Sequence, residues 1–340
     1  MDLMYIRTRA GGSADSGYLS RYEADFEIST SSESDSNDFE IKMPLPNDQE
    51  GLYFAENEIS TMVFVDGTEY GGIITGSMID IGSNEITYTG KTWRGILSQY
   101  IIEPPAGQDY RVVSGNLAAS IRTLPLHPLM SVKDTTYSGG TYQFNRYITV
   151  HEGIVGLLAD ADPDLRLKVT FTQTDEQYTG TIELEIVKVR DLTSLVETSQ
   201  DYGDRIKLKI TRDYKTPHQL ICLGQGELHE REVIHLYADD DWNVSQTPIA
   251  GAYPVETYDY SSSENLLSDG KKKYAEIIGN HRQIEVSISD LDVELGDIIA
   301  AKDLLTGESA QAEISSIIYK CSDYGSYKTE SFDYKTKVRT

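Results

Sequence analysis

The sequence predicts a mainly β protein with an α+β insertion. Three observations support this fold class: short alternating runs up to about residue 92, helical spacing of apolar residues after it, and renewed alternation from Arg205. Strand side chains repeat with period two and helical ones with period 3.6, so each change of period marks a change of element. At 340 residues the chain exceeds the usual domain size of about 100 to 200 residues, so we expect two or three packed units.

The first ninety-two residues are expected to form one β-barrel, residues 1–92. Strands are predicted over 25–29, 39–43, 62–65, 70–74 and 85–89. Asp66-Gly67 separates two of these runs, and this pair favours a two-residue hairpin turn in which both positions have positive φ. Runs this short suit a barrel or a sandwich rather than helices.

An α+β domain is predicted over residues 93–204 and 240–281. Apolar residues recur at helical spacing from Trp93 to Ile101, and Pro104-Pro105 must end that helix because neither residue donates a backbone hydrogen. Further helices are expected over 117–124, 150–158 and 263–278, and a strand pair over 165–172 and 181–189.

A second β-barrel is predicted over residues 205–239 and 282–320, followed by a carboxy-terminal extension over 321–340. Its strands are expected over 206–210, 218–223, 232–237, 283–289, 297–301 and 312–320. Clean alternation in these runs implies that each strand has one buried and one solvated face.

The charge of the chain restricts its partners. It carries 55 acidic and 30 basic residues, a net charge of -25. Affinity for nucleic acid comes from Lys and Arg, so we expect no sequence-specific nucleic-acid partner. From Asp15 to Glu58 there are twelve acidic and two basic residues. This excess indicates either a surface for a basic partner or an ordinary solvated face.

Cys222 and Cys321 are the two cysteines, and they are too far apart in sequence for CxxC spacing. We therefore expect buried free thiols rather than a disulfide framework or a cysteine-based zinc site. Residues 1–10 lack the apolar centre of a signal peptide, and no run approaches the roughly 18 to 20 apolar residues of a membrane span. Synthesis in a cytoplasm and no membrane span are expected.

Two glycine-containing motifs each lack a glycine that the motif requires. Gly90-Lys91-Thr92 ends like a phosphate-binding loop, but Glu85 occupies the place of the first glycine. Gly224 and Gly226 match the start of a dinucleotide-binding fingerprint, but His229 replaces its third glycine. We expect no cofactor, and a β-bulge or close backbone approach at Gly224 and Gly226.

Two metal motifs fail in the same way. His229-Glu230 begins like a zinc-protease signature, but Val233 stands where the second histidine is required and His235 is out of register. Asp160, Asp162 and Asp164 begin like a calcium loop, but Leu165 and Phe171 replace its glycine and glutamate. We expect no metal site, and a capped helix end near Asp162. A catalytic triad or a glycosidase-type carboxylate pair depends on positions in the fold, so both remain alternatives.

The segment from Gly90 to Leu97, continued by Ile101 to Gly107, resembles a family of siphophage tail-tip hub proteins. Further similarity lies in a G-x-G-E-x-x-x-R segment, a Leu-Leu-x-x-Gly-Lys helix and an E-L-G-D-I strand entry. These residues are Gly224, Gly226, Glu227 and Arg231; Leu266, Leu267, Gly270 and Lys271; and Glu294 to Ile298. The matching points keep a consistent order from about residue 75 to residue 318.

The resemblance implies a baseplate-hub subunit with two hub-type β-barrels and an α+β domain. Three subunits would form a homotrimeric ring that closes the tail tube in the virion and lets DNA leave through its lumen. Its partners would be the distal tail ring protein, the tape-measure protein and a tail fibre or spike. Acidic side chains along the channel would repel passing DNA. A fused lytic domain, present in some members, is expected to be absent, so no enzymatic activity is expected.

Two other functions remain open. Tyrosine is the main aromatic residue, with 23 copies, and it clusters at Tyr253, Tyr258 and Tyr260 and again at Tyr319, Tyr324, Tyr327 and Tyr334. Such loops suit interfaces or a cell-wall glycan, although tyrosine is also common in ordinary strands. The alternatives are therefore a host cell-wall glycan-binding tail protein and a tail-associated lysin.

Overall fold

The computed structural model describes residues 1–9, 12–31, 36–45, 54, 58–174, 178–194, 206–212, 215–279, 282–288, 292–302 and 309–339. The chain forms two compact units, one of residues 1–206 and 287–340 and the other of residues 207–286. Strands dominate both, which confirms the predicted mainly β fold class.

Ten strands form the large sheet of the first unit. They are β1 (Met4–Arg9), β2 (Ala14–Tyr18), β3 (Tyr22–Ser29), β4 (Asp38–Pro44), β5 (Glu58–Phe64), β6 (Gly71–Asp80), β7 (Glu85–Thr92), β21 (Ile298–Lys302), β22 (Ser309–Asp323) and β23 (Lys328–Arg339). Their order is β2-β1-β5-β6-β7-β4-β3-β22-β21, and β23 pairs with the remaining edge of β22. All of these pairings are antiparallel.

The inner face of this sheet carries an aromatic core. In β3, Tyr22, Ala24 and Phe26 are buried, whereas Glu23 and Asp25 between them are exposed, as the period of a strand requires. The Phe26 ring stacks on Phe39 and on Tyr319, with centroids 5.4 and 6.4 Å apart. Strands from both ends of the chain therefore share one core.

Strand pairing in the large sheet differs from the predicted domain boundaries. Residues 309–320 were expected in a second barrel with 205–239, but β22 pairs with β3 from Ser316 to Asp323. Residues 321–340 were expected as an extension, but β23 continues the same sheet to Arg339. The physical reason is that Ile317, Tyr319 and Cys321 bury their side chains at the inner face of this sheet. Alternation shows that a strand has a buried face, not which sheet buries it.

The α+β part of the first unit lies between β7 and residue 206. It contains α1 (Trp93–Ile96), β8 (Ile101–Ile102), β9 (Val112–Asn116), α2 (Leu117–Arg122), β10 (Met130–Val132), β11 (Ser138–Gln143), β12 (Ile148–Thr149), α3 (Val150–Ala161), β13 (Leu165–Thr174) and β14 (Thr179–Lys188). The predicted strand pair is confirmed, since β13 and β14 are antiparallel with Thr172 opposite Thr181. The side chains of Thr92, Asn116 and Thr149 cap the three helices.

The helix predicted from Trp93 to Ile101 is shorter than expected. The α-helix ends at Ile96, a 3-10 turn continues to Gln99, and Tyr100 is extended. Ile101 then pairs with Thr149 in the short β8–β12 ladder. This backbone pairing with a distant strand ends the helix before the prolines do.

The turn predicted at Asp66-Gly67 is also different. A turn is present there, since Thr68 N–H donates to the Val65 carbonyl at 3.3 Å, but only Gly67 of the pair has positive φ, and Val65 N–H donates to the Tyr70 carbonyl across a loop longer than two residues. The loop is held from outside: Gly67 N–H donates to the Phe171 carbonyl, and Gln173 N–H donates to Asp66 Oδ1 at 2.8 Å. Hydrogen bonds to β13 hold this turn in place.

The second unit is an α/β layer. Its sheet contains β16 (Gln219–Leu223), β17 (Val233–Ala238), β18 (Val244–Ser245) and β19 (Val255–Asp259), in the order β18-β17-β16-β19. The helix α4 (Leu266–Gly279), predicted over 263–278, packs its Leu266 and Tyr274 with Leu220 and Leu236 of the sheet. Helix and strands therefore bury each other's apolar faces.

The chain enters and leaves this unit through β15 (Ile206–Arg212) and β20 (Arg282–Ile288), which pair with each other. Residues 240–281 were expected to join the α+β domain at 93–204, but 240–279 contribute β18, β19 and α4 to the unit that contains β16 and β17. Among the described helices, none is long and apolar enough to cross a membrane.

Candidate functional site: a charged sheet face

The outer face of the large sheet carries a continuous array of charged side chains. It is formed by the outward residues of β7, β4, β3, β22 and β23, and we call it the charged sheet face. Its charged members, as far as residue 316 of β22 and residue 335 of β23, are Glu23, Asp25, Glu27, Asp38, Glu40, Glu85, Lys42, Lys91, Lys320, Asp333 and Lys335. Because neighbouring residues of each strand point inward, the aromatic core lies directly beneath these charges.

Antiparallel register arranges these side chains in rows across the strands. One row runs from Thr89 through Glu40, Asp25 and Lys320 to Ser331. The adjacent row on one side contains Lys42 beside Glu23, and the row on the other side contains Lys91 beside Asp38. Directly opposite residues in antiparallel strands are close enough to interact, so the rows set the charge pairs.

Lysines of four strands neutralise part of the acidic charge, and the ammonium of Lys335 on β23 reaches across β22 to lie 2.8 Å from Glu27. The ammonium of Lys320 lies 2.7 Å from Asp333, that of Lys42 lies 2.9 Å from Glu40, and Lys91 contacts Asp38. Seven carboxylates and four ammonium groups occupy the face as defined, which leaves a net charge of -3. The acidic excess is much smaller than the sequence from Asp15 to Glu58 suggests.

The surroundings of Asp25 on this face disfavour its charged form. It lies directly opposite Glu40, and both side chains carry like charge. Partial burial raises the pKa of Asp25, and the nearby carboxylates of Glu40 and Asp333 raise it further, while Lys320 opposes them. The face therefore retains a carboxylate pair that its lysines do not fully compensate.

Stability does not account for this arrangement. Exposed ion pairs contribute about 0 to 1 kcal/mol each, and the pairs on this face are partly or largely exposed. Apart from Ile318, the three rows contain polar or charged side chains only. Such a surface stays hydrated, resists apolar contacts and repels polyanions at short range.

Gly90-Lys91-Thr92 lies in a strand and not in a phosphate loop. A Cβ on Gly90 would lie 2.1 Å from the Ile73 carbonyl and 2.6 Å from the Phe39 ring, so a glycine is required for strand packing. Thr92 accepts a hydrogen bond from Gly95 N–H as the cap of α1. The motif therefore joins the large sheet to the α+β part.

The histidine motif is dispersed in the second unit. His229 lies in an exposed 3-10 turn, and its side chain is 88% exposed. His235 lies on β17, where its Nδ1 is 2.9 Å from Gln219 Nε2. Within the described ranges, no group of three His, Cys, Asp or Glu side chains has the geometry to hold a metal ion.

The remaining sequence motifs have local structural positions. Gly226 has positive φ in the turn between β16 and β17, where Gly224 N–H donates to the Glu232 carbonyl. Asp162 ends α3, and its Oδ1 accepts from Asp164 N–H at 2.9 Å. Cys222 and Cys321 are buried free thiols, as expected from the sequence.

The tyrosine clusters divide between core and surface. Tyr319 is fully buried against Phe26 and Phe332. Tyr324 and Tyr327 are 47% and 58% exposed and lie 4.9 Å apart by ring centroids. In the second unit Tyr253 is 77% exposed. Only part of the tyrosine content is thus available for a partner.

No family model and no curated protein matches the chain. Among solved structures, the 43 kDa tail protein of prophage MuSo2 from Shewanella oneidensis is similar, with 13% identity, a TM-score of 0.49 and 98% of each chain covered. A tail protein from Neisseria meningitidis has 15% identity and a TM-score of 0.44 over 98% of this chain and 96% of that one. A prophage tail protein from Listeria monocytogenes has 10% identity and a TM-score of 0.47 over 98% and 94%. Because these TM-scores are below 0.5, the similarity by itself assigns no function to this chain.

Proposed function

We propose that this chain is a structural subunit of a bacteriophage tail tip, a baseplate-hub protein that assembles as a trimeric ring around a channel. The observation that carries the proposal is the charged sheet face, a wide hydrated surface built by strands from both ends of the chain. A channel for DNA needs such a wall, because apolar or basic surfaces would retain the polyanion.

The residues that carry the family resemblance support a structural role. Trp93 is fully buried and stacks on Phe171 with centroids 4.5 Å apart. A Cβ on Gly95 would lie 2.2 Å from the Asn37 carbonyl, so α1 packs closely on the loop before β4. The motif fixes the joint between two parts of the subunit.

In this proposal the charged sheet face points toward the lumen. Its net charge of -3 would be present three times around the ring. Screening limits the repulsion to about 8 Å at physiological salt, so it acts on DNA that approaches the wall and not on the whole channel. The chain would have no catalytic role, and its partners would be the distal tail ring, the tape-measure protein and a fibre or spike in the virion.

The solution mass of the purified protein tests the proposal. We expect light scattering to give about three times 38.0 kDa, with the fraction of trimer rising with concentration because subunit association follows mass action. Negative-stain electron microscopy should then show rings. A monomer at every concentration would contradict self-assembly of this chain into a ring.

One observation favours a second candidate function, binding of a cell-wall glycan. Tyr253 and Tyr260 of the second unit are 77% and 39% exposed, and Tyr258 lies beside Tyr260 with centroids 5.7 Å apart. Exposed tyrosine rings can stack on sugars and donate hydrogen bonds from their hydroxyls. A glycan array with the native protein and a Tyr253→Ala variant separates the two functions, since a hub subunit alone should bind no glycan.

A further inference from the structure

We infer that the apolar tip of the β6–β7 hairpin binds a second copy of this chain, at an apolar patch that follows the opposite end of β7. The hairpin tip comprises Met78, Ile79 and Ile81, and the patch comprises Ile101, Tyr110, Val112 and Tyr147. The inference rests on the proposed ring and names the surfaces that would close it.

The hairpin tip is an exposed apolar projection. β6 and β7 pair as far as Asp80 and Glu85, whereas β5 pairs with β6 only from Gly71 to Ile73. Every residue from Ser77 to Asn84 is exposed. Met78, Ile79 and Ile81 are 64%, 48% and 85% exposed. Large apolar side chains grouped on a projecting element are characteristic of an interaction site.

The outer edge of this hairpin also lacks lysine and proline, two of the usual protections against strand pairing. Exposed edges are commonly guarded by Lys, Pro or inward charges. β23, the outer strand beside β22, carries Lys328, Lys335 and Lys337. β6 has neither Lys nor Pro from Thr75 to Asp80; a register shift between Ile74 and Gly76 lies at the start of this stretch, and the residues preceding the tip are small and uncharged. This edge is therefore suited to contact another chain.

The proposed acceptor patch belongs to the same unit. Ile101 and Tyr147 lie on paired segments, since Ile101 is opposite Thr149 and Tyr147 N–H donates to the Ile102 carbonyl at 3.2 Å. The segment of Val112 lies near them, since Arg111 Nε donates to the Glu103 carbonyl at 3.2 Å. The side chains of Ile101, Val112 and Tyr147 are 40%, 49% and 59% exposed. The patch thus presents several partly exposed apolar groups close together.

Charge favours this pairing of surfaces over contact between two hairpin tips. The tip carries Asp80 and Glu85 and no basic residue. The patch includes two arginines, Arg111 and Arg146, and the Arg146 guanidinium lies 5.5 Å from the Tyr147 ring centroid. Two carboxylates, Glu103 and Asp109, also lie in the patch segment. Two tips would bring four carboxylates together with no cation, whereas the two arginines of the patch balance its own two carboxylates, so the patch adds no net repulsion for the tip.

The positions of the two surfaces suit a head-to-tail contact. The tip precedes Glu85 and the patch follows Thr92, at the two ends of β7, whose eight residues span about 23 Å. A closed ring of identical subunits uses two different surfaces on each subunit, in contrast to a twofold dimer. The chain provides one apolar surface beyond each end of the same strand.

The test compares Ile81→Asp with Leu228→Asp by light scattering. Leu228 is 92% exposed in the second unit, so its variant is a matched control for loss of an exposed apolar side chain. We expect Ile81→Asp to shift the mass from three times 38.0 kDa to 38.0 kDa without a change in melting temperature, and Leu228→Asp to leave the mass unchanged.

A crosslinking experiment identifies the acceptor. In an Ile81→Cys/Tyr147→Cys double variant, oxidation should link chains covalently, and neither single variant should do so; Cys222 and Cys321 are buried. If the native protein is a trimer and Ile81→Asp is a trimer as well, the inference is overturned. It is also overturned if the double-cysteine variant forms trimers that do not crosslink. In both cases the proposed ring still stands. A lower melting temperature with unchanged mass would show that the tip packs on its own chain, which also overturns it. A monomeric native protein would instead overturn the proposed ring.

Discussion

His151 should make the protein lose stability at acidic pH. This residue of α3 is fully buried, and within the described part of the chain both of its ring nitrogens have no hydrogen-bond partner. Burial, and then the nearby guanidinium of Arg94, lower the pKa of His151 to about 3. The folded state therefore holds a neutral imidazole, while the unfolded chain titrates near 6.5.

The sign and size of the change in the free energy of unfolding follow from this difference in proton binding. Above pH 6.5 both states are neutral and the residue has no pH-dependent effect. As the pH falls from 6.5 toward 3, the unfolded state binds the proton first and the free energy of unfolding decreases. At pH 5.0 the loss is about 2 kcal/mol, since each pH interval of one unit corresponds to about 1.4 kcal/mol.

Urea denaturation at pH 7.5 and pH 5.0 measures this effect, with His151→Leu as the test variant. Other titrating groups contribute equally to both proteins, so the variant should lose about 2 kcal/mol less than the native protein between the two pH values. His229→Leu, at a side chain that is 88% exposed, should behave like the native protein. Equal losses in native and His151→Leu protein would refute the assignment.

Three further predictions concern packing and charge. Glu69→Gln should lower the free energy of unfolding by about 3 to 5 kcal/mol, because Arg94 is 2% exposed and donates to both Glu69 oxygens at 2.6 and 3.1 Å; urea denaturation checks this, and a loss below 1 kcal/mol would contradict it. Gly90→Ala should destabilise by more than about 2 kcal/mol through its contact with the Ile73 carbonyl, while Gly140→Ala, where a Cβ meets nothing within 4 Å, should change the melting temperature little. Asp25→Lys/Glu27→Lys/Glu40→Lys should convert the charged sheet face into a surface that binds duplex DNA with strong salt dependence in fluorescence anisotropy. The same number of reversals at Glu227, Glu230 and Asp241 in the second unit controls for total charge, and equal binding by both variants would argue against a special role for the face.

Local elements could be predicted from the sequence because their determinants are local. The β13–β14 pair and the helix over 266–279 appear where periodicity placed them. The pairing of β22 with β3 could not be predicted, since alternation in 312–320 marks a buried face without naming the strand beside it.

The candidate site was predictable only in part. The acidic residues from Asp15 to Glu58 are evident in the sequence, but Lys91 and Lys320 join them through strand register alone. The buried Arg94–Glu69 pair likewise joins residues that no motif connects. Such sites depend on tertiary contacts, and charge counts along the chain overestimate their net charge.

The pairing of β3 with β22 has a consequence for synthesis on the ribosome. Residues 22–29 emerge early, yet the strand that covers one of their edges, residues 309–323, emerges almost last. The second unit, whose contacts lie within residues 207–286, can fold while the chain is still being made. Until release, β3 would keep an unpaired edge and an incomplete aromatic core, which exposes the nascent chain to aggregation. The strands made first would therefore be protected from aggregation only after the last strands have been made.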